Sequence, residues 1–199
     1  MINDWNVHTF IGKKADKRAI LILNKPCLLH LATHGFYFHN VGMNGPVLSP
    51  TDVIEIKSNP MINAGLLVSG LPKDDSKSDK TCSYDIVNAY EIASLNLDET
   101  EIVVVSACQS GIGFSANTAE GFYGLQRAFI LAGAHSLILS LWNVDDLKTR
   151  IFMTEFYKNW IVLKNISIAF RETQLELKNQ GFKPWEWGAF ILVSCPRLD

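Results

Sequence analysis

The sequence predicts an α/β domain whose mostly parallel sheet is covered by helices on both faces. Three observations carry this. Strand-length apolar runs, such as 101–106 and 136–141, alternate along the chain with segments of helical period. The runs are apolar on neighbouring residues, as strands buried on both sides are. The length, 199 residues, suits one domain that buries roughly two-thirds of its unfolded surface.

Taken in order, residues 13–23 read as a helix, and Pro26 then separates it from 27–32 (Cys-Leu-Leu-His-Leu-Ala), a buried strand. Residues 64–70 form another short strand. The stretch 71–83 is rich in Lys, Asp and Ser and reads as a solvated loop. Residues 90–95 form a short helix leading into 101–106, the central strand. A Gly/Ser-rich loop over 109–118 follows, then a helix with Phe122, Leu125 and Phe129 on one face. Residues 136–141 are a third buried strand. Phe152, Phe156 and Trp160 recur at helical spacing, so 146–163 is a helix with Asn143 or Asp145 as its cap. Ser167 caps another helix reaching Asn179, stopped by Gly181 and Pro184. A closing strand spans 189–193. No internal repeat is visible.

Composition narrows the function. Hydrophobic residues make up 48% and charged residues 19% of the chain, the balance of a globular domain with a thick core. A net charge of −2, with Lys and Arg dispersed, argues against nucleic acid or a membrane surface as partner. No apolar run approaches the roughly 20 residues of a membrane span. The first residues lack the basic-then-apolar pattern of a secretion signal. The four cysteines, Cys27, Cys82, Cys108 and Cys195, are far apart and form no C-x-x-C pair. The expectation is a reduced, cytoplasmic protein with no metal and no cofactor.

Chemistry is expected at two strand ends. His34-Gly35 follows the first strand and Ala107-Cys108-Gln109-Ser110-Gly111 follows the central one. In open parallel sheets, reactive groups gather outside the carboxyl ends of the strands, so residues 74 positions apart can meet there. An imidazole beside a thiol raises the thiolate fraction or takes the proton during attack. Glycines beside both residues let backbone amides approach a developing oxyanion. Spacing alone leaves two readings of Cys108, a buried structural thiol or a nucleophile paired with His34. His30, inside its strand, reads as packed and hydrogen-bonded. A nucleotide-binding reading is disfavoured, since neither loop carries G-x-G-x-x-G or a phosphate-loop lysine.

Five blocks in order resemble the CHAT domain family, caspase-like modules often fused to tetratricopeptide repeats. His30-Leu31-Ala32-Thr33-His34-Gly35-Phe36 resembles the family's histidine block, and Ser106-Ala107-Cys108-Gln109-Ser110-Gly111 its cysteine block. The segment from Gly121 through Phe129 to Ala134 is similar to the following helix. Leu141-Trp142-Asn143-Val144-Asp145-Asp146 and Trp187-Gly188-Ala189-Phe190-Ile191-Leu192 resemble the last two blocks. The resemblance implies a caspase-like three-layer α/β/α sandwich and a cysteine endopeptidase acting on protein substrates. His34 would be the general acid/base, Cys108 the nucleophile, and the amides of Gly35 and Cys108 the oxyanion donors. Ser106 would line the pocket for the substrate residue before the cut, and Asp145 or Asp146 could set its charge. As openers of a helix, both aspartates also read as cap or first-turn residues.

Family members usually carry the first strands of the sheet upstream of the histidine block, where this chain has about a dozen residues before its first helix. The expectation is therefore that residues 1–199 form a single CHAT domain without its first strands, the C-terminal part of the complete domain or of a longer protein. Its expected partners are an upstream segment or a repeat-type regulatory domain of the same protein. The alternative activity is a catalytically silent regulatory or scaffold module that acts by protein binding.

Overall fold

The apolar runs at 27–32, 101–106 and 136–141 lie side by side in one sheet. The computed structural model describes residues 5–37, 60–70, 84–106 and 118–194. In chain order the elements are α1 (Lys17–Leu21), β1 (Leu28–Leu31), β2 (His34–Tyr37), α2 (Pro60–Asn63), β3 (Ala64–Ser69), β4 (Tyr84–Asn88) and α3 (Ala89–Ala93). There follow β5 (Ile102–Val105), α4 (Thr118–Leu131), β6 (Ser136–Ser140), α5 (Asp146–Leu163), α6 (Ile166–Asn179), α7 (Pro184–Trp187) and β7 (Phe190–Ser194). The main sheet has the order β1-β5-β6-β7, parallel except for β7, which runs antiparallel to β6. A second, antiparallel sheet has the order β2-β3-β4. Among the described residues β1 has a strand partner on one side only.

Two apolar layers cover the main sheet, and alternation along each strand decides which residue joins which layer. Leu29, Val103, Val105, Leu137 and Leu139 pack with α3, α4 and the second sheet. Ile102, Val104 and Ile138 point the other way, into Phe152, Phe156, Trp160 and Phe170 of α5 and α6. The result is the expected three-layer α/β/α sandwich. On the second face Phe152 and Phe190 meet at 4.3 Å between ring centroids, and Phe156 stacks on Trp160 at 6.1 Å.

Helix boundaries follow local hydrogen bonding. The helix expected over 13–23 divides into a 3-10 turn, Gly12–Lys14, and α1, because the Asp16 carboxylate accepts from the Ala19 amide and restarts the helix there. Asp145 caps α5, accepting from the amides of Leu147 and Lys148. For α6 the cap is Asn165, not Ser167. Lys164 turns into the left-handed region, and Asn165 Oδ1 then accepts from Ile168, leaving Ser167 inside the first turn. Gly133 ends α4 at φ +102°, where a Cβ would lie 2.8 Å from the Asp98 backbone. The amides of Gly133 and Ala134 bond back to Ile130 and Phe129, closing the helix end in the way that favours glycine.

The short elements β2, β4, α2 and α7 were not expected from the sequence. The loop expected over 71–83 lies outside the described residues, as does 109–118 except for Thr118, which opens α4.

Phe156 is fully buried between α5 and α6, whereas Val162 on the same helix is 77% exposed. Phe156→Ala is expected to lower unfolding free energy by about 3–5 kcal/mol, and Val162→Ala by no more than about 0.5 kcal/mol, in chemical denaturation. Equal losses would show that α5 does not present this face to the sheet.

Candidate functional site

The carboxyl ends of β1, β5 and β6 and the start of β7 share one edge of the main sheet. Leu31 pairs with Val105 at that edge, and the Ser106 amide donates to the Leu31 carbonyl at 3.1 Å. His34 and Cys108 each stand three positions beyond this pair. His34 opens β2, where it is exposed and paired with Leu67, and Gly35 is paired with Leu66. It thus belongs to the second sheet, whereas the sequence had placed it simply beyond the first strand. The Thr33 hydroxyl donates to the Leu67 carbonyl and fastens the turn between the two sheets. Cys108 lies outside the described residues.

Ser106 is held by its side chain as well as its amide. His30 Nε2 lies 3.0 Å from Ser106 Oγ, and His30 Nδ1 lies 2.9 Å from the Tyr157 hydroxyl on α5. The rings of His30 and Tyr157 are 5.8 Å apart between centroids. Desolvation of the ring lowers the pKa of His30 below its ordinary value, although the residue as a whole is exposed. Desolvation also pushes the Tyr157 phenol above its usual range. His30 is therefore the packed, hydrogen-bonded histidine that its place in the strand implies.

The block 141–146 sits at the same edge. Leu141 donates to the Ala189 carbonyl at 2.8 Å, and the Trp142 indole donates to the Trp185 carbonyl at 2.9 Å. Lys148 joins the start of α5 to α7 through Glu186 at 3.3 Å and lies 4.2 Å from the Phe182 ring centroid. Asp145 and Asp146 are both exposed here. The Asp145 carboxylate is engaged by the helix amides, while Asp146 is the first residue of the helix.

Sequence reasoning passed over Tyr157. It stands beside Phe156, off the apolar stripe of α5, and only the tertiary structure brings its hydroxyl to β1. The available signal was His30 itself, a polar side chain within an apolar strand. A groove lined by Trp5, Cys27, Glu101, Trp160, Ile161 and Lys164 lies at the opposite ends of β1 and β5, away from this edge. The Cys27 thiol there is exposed, and its pKa is raised by desolvation and by the Glu101 carboxylate. Among the described residues no three His, Cys, Asp or Glu side chains gather as metal ligands, and no helix is long and apolar enough to cross a membrane.

The chain is similar to tetratricopeptide repeat protein 28 of Homo sapiens, 29% identical over 111 residues, and to its Mus musculus counterpart, 28% identical over 111 residues. Each alignment covers 55% of this chain but only 4% of the relative, so the chain spans a small fraction of the length of these proteins. The profile of the CHAT domain matches residues 1–194, nearly the whole sequence. The chain belongs to the CHAT domain family.

Proposed function

We propose that this domain is a caspase-like cysteine endopeptidase that cleaves protein substrates through Cys108 and His34. The observation that carries the reading is the parallel register of β1 and β5, which starts both segments from one paired level, Leu31 and Val105. The thiol of Cys108 attacks the scissile carbonyl carbon and its proton passes to His34. The amides of Gly35 and Cys108 stabilise the oxyanion. The carbon–nitrogen bond breaks as His34 returns the proton to the leaving amine, leaving a thioester. Water then loses a proton to His34, attacks the thioester, and releases the acid as Cys108 regains its proton. Neither metal nor cofactor enters the scheme.

Ser106, two positions before the nucleophile, lines the pocket for the residue before the cut. Asp146, exposed at the same edge, sets its charge in this reading, with Asp145 committed to the helix amides. The cytoplasm suits a reactive thiol, and an upstream segment or a repeat domain of the same protein is the proposed regulator, in keeping with the repeat proteins it resembles. A second reading, a silent scaffold acting by protein binding, is favoured by the one-sided pairing of β1 among the described residues.

Substoichiometric iodoacetamide is expected to label Cys108 before Cys27, whose raised pKa slows it. His34→Ala should slow labelling of Cys108 at pH 7 and leave Cys27 unchanged. An inert Cys108 beside a labelled Cys27, mapped by mass spectrometry, favours the scaffold reading.

Peptide cleavage should vanish with Cys108→Ala and with His34→Ala, and the double variant should lose no more, because the pair acts as one unit. Activity surviving Cys108→Ala would sink the mechanism.

If Asp146 faces the pocket, substrates with Arg or Lys before the cut are preferred, and Asp146→Asn loses that preference while costing at most about 1 kcal/mol of stability. Selectivity unchanged by Asp146→Asn and by Asp145→Asn would leave both aspartates as helix openers.

A further inference from the structure

We propose that Tyr157, His30 and Ser106 are positioning residues, a hydrogen-bonded chain through which α5 holds the serine two positions before Cys108 in the setting that makes the thiol reactive. The inference rests on Cys108 being the nucleophile. Its structural basis consists of described residues alone: Tyr157 hydroxyl to His30 Nδ1 at 2.9 Å, His30 Nε2 to Ser106 Oγ at 3.0 Å, and the Ser106 amide to the Leu31 carbonyl at 3.1 Å.

The surroundings make these polar groups conspicuous. The face of β1 and β5 that meets α5 and α6 is apolar at Leu28, Ile102 and Val104, and the same face continues with His30 and Ser106. Aliphatic side chains would fill that space without desolvating any polar atom. A chain of directional hydrogen bonds instead admits one arrangement of helix and strand ends. Such a departure from the local apolar rule belongs at a site where geometry matters more than stability.

The direction of the protons separates positioning from catalysis. In the proposed chain the Tyr157 phenol, kept protonated by burial, donates to Nδ1. With Nδ1 accepting and its pKa lowered by desolvation, a neutral His30 then carries its proton on Nε2. Nε2–H therefore donates to Ser106 Oγ and cannot accept the serine proton. Ser106 is thus an oriented hydroxyl, not an activated nucleophile, despite having the spacing of a serine–histidine pair. On the other flank, the Thr33 hydroxyl bonded to Leu67 ties down the turn that leads to His34.

The test is the iodoacetamide rate at Cys108 in the 199-residue chain, with Cys27 as internal control. Tyr157→Phe and Ser106→Ala are each expected to slow Cys108 about tenfold or more, since small misplacements of a reacting group carry large rate penalties. The double variant should be no slower than either single one, and Ser106→Thr should restore most of the rate. Cys27 should react as in the wild type. Rates within about twofold of wild type in both single variants, an equal change at Cys27, or modification of Ser106 by a fluorophosphonate would each overturn the proposal. Imidazole ¹⁵N shifts read the chain without the thiol: His30 should be the Nε2-protonated tautomer at pH 7, and a doubly protonated or Nδ1-protonated ring contradicts it. The same measurements separate the two readings. A wild-type Cys108 no faster than in the denatured chain overturns the nucleophile and, with it, the positioning role, whatever the tautomer. A fast, His34-dependent Cys108 that ignores Tyr157→Phe and Ser106→Ala overturns the positioning role alone.

Discussion

Leu31 paired with Val105 is the contact on which the rest of the site depends. It sets how far each chain has advanced when it leaves the sheet, and so the level from which the histidine and cysteine segments start. Apolar patterning is a weak guardian of such a register here. In a sheet with one wet face, a slip of one residue would bury polar side chains and expose apolar ones. In this sheet both faces are apolar, and a slip of β1 would largely exchange Leu28 for Leu29 in the two layers. His30 breaks that near-equivalence. Only in the observed register does its ring meet Ser106 on one side and Tyr157 on the other. A slip would carry it into the layer of Leu29 and Val103, unpartnered and desolvated. A polar contact that specifies register is the best-attested use of such groups.

The site edge is assembled from two sheets. Ser106 leaves the main sheet, whereas His34 opens a strand of the antiparallel one. Ala32 and Thr33 join the two, with the Thr33 hydroxyl bonded to the Leu67 carbonyl. The relative placement of the two segments therefore depends on how β2-β3-β4 packs over the main sheet, through the layer that Leu66, Val87, Val103 and Phe129 share. The block 141–146 has a different anchor, the backbone of Ala189 and Trp185 ahead of β7.

Much of the fold was legible because its strands are long apolar runs and its large helices carry aromatic stripes. The strand at 101–106 and the helix at 146–163 appear where the sequence sets them, the first as Ile102–Val105 and the second as Asp146–Leu163. The elements that escaped are short or defined by partners. His34–Tyr37 is a strand because β3 pairs with it, and its four residues offer too little pattern to declare it. Ser167 misled as a cap since the left-handed turn at Lys164 moved the helix start to Asn165. At the candidate site, the blocks around His34 and Cys108 carry the family resemblance in their sequence neighbours. The Tyr157 contact was not legible, since 127 positions separate it from His30 and only the packing of α5 on the sheet brings them together.

The two ends of β1 differ in the surroundings they offer a thiol. Cys27 precedes β1 at the amino end, is exposed, and lies beside a groove, which a survey by exposure would rank highly. Desolvation and the Glu101 carboxylate both disfavour its thiolate, and no histidine lines that groove. At the carboxyl end the same strand delivers a histidine instead. The parallel arrangement has a consequence beyond geometry: strands that run together send all their carboxyl ends to one edge, so the two segments leave from neighbouring strands. An antiparallel β1 would put the segment carrying His34 at the opposite edge from Ser106. In this domain the direction of pairing thus decides whether the segments after β1 and β5 leave from one edge.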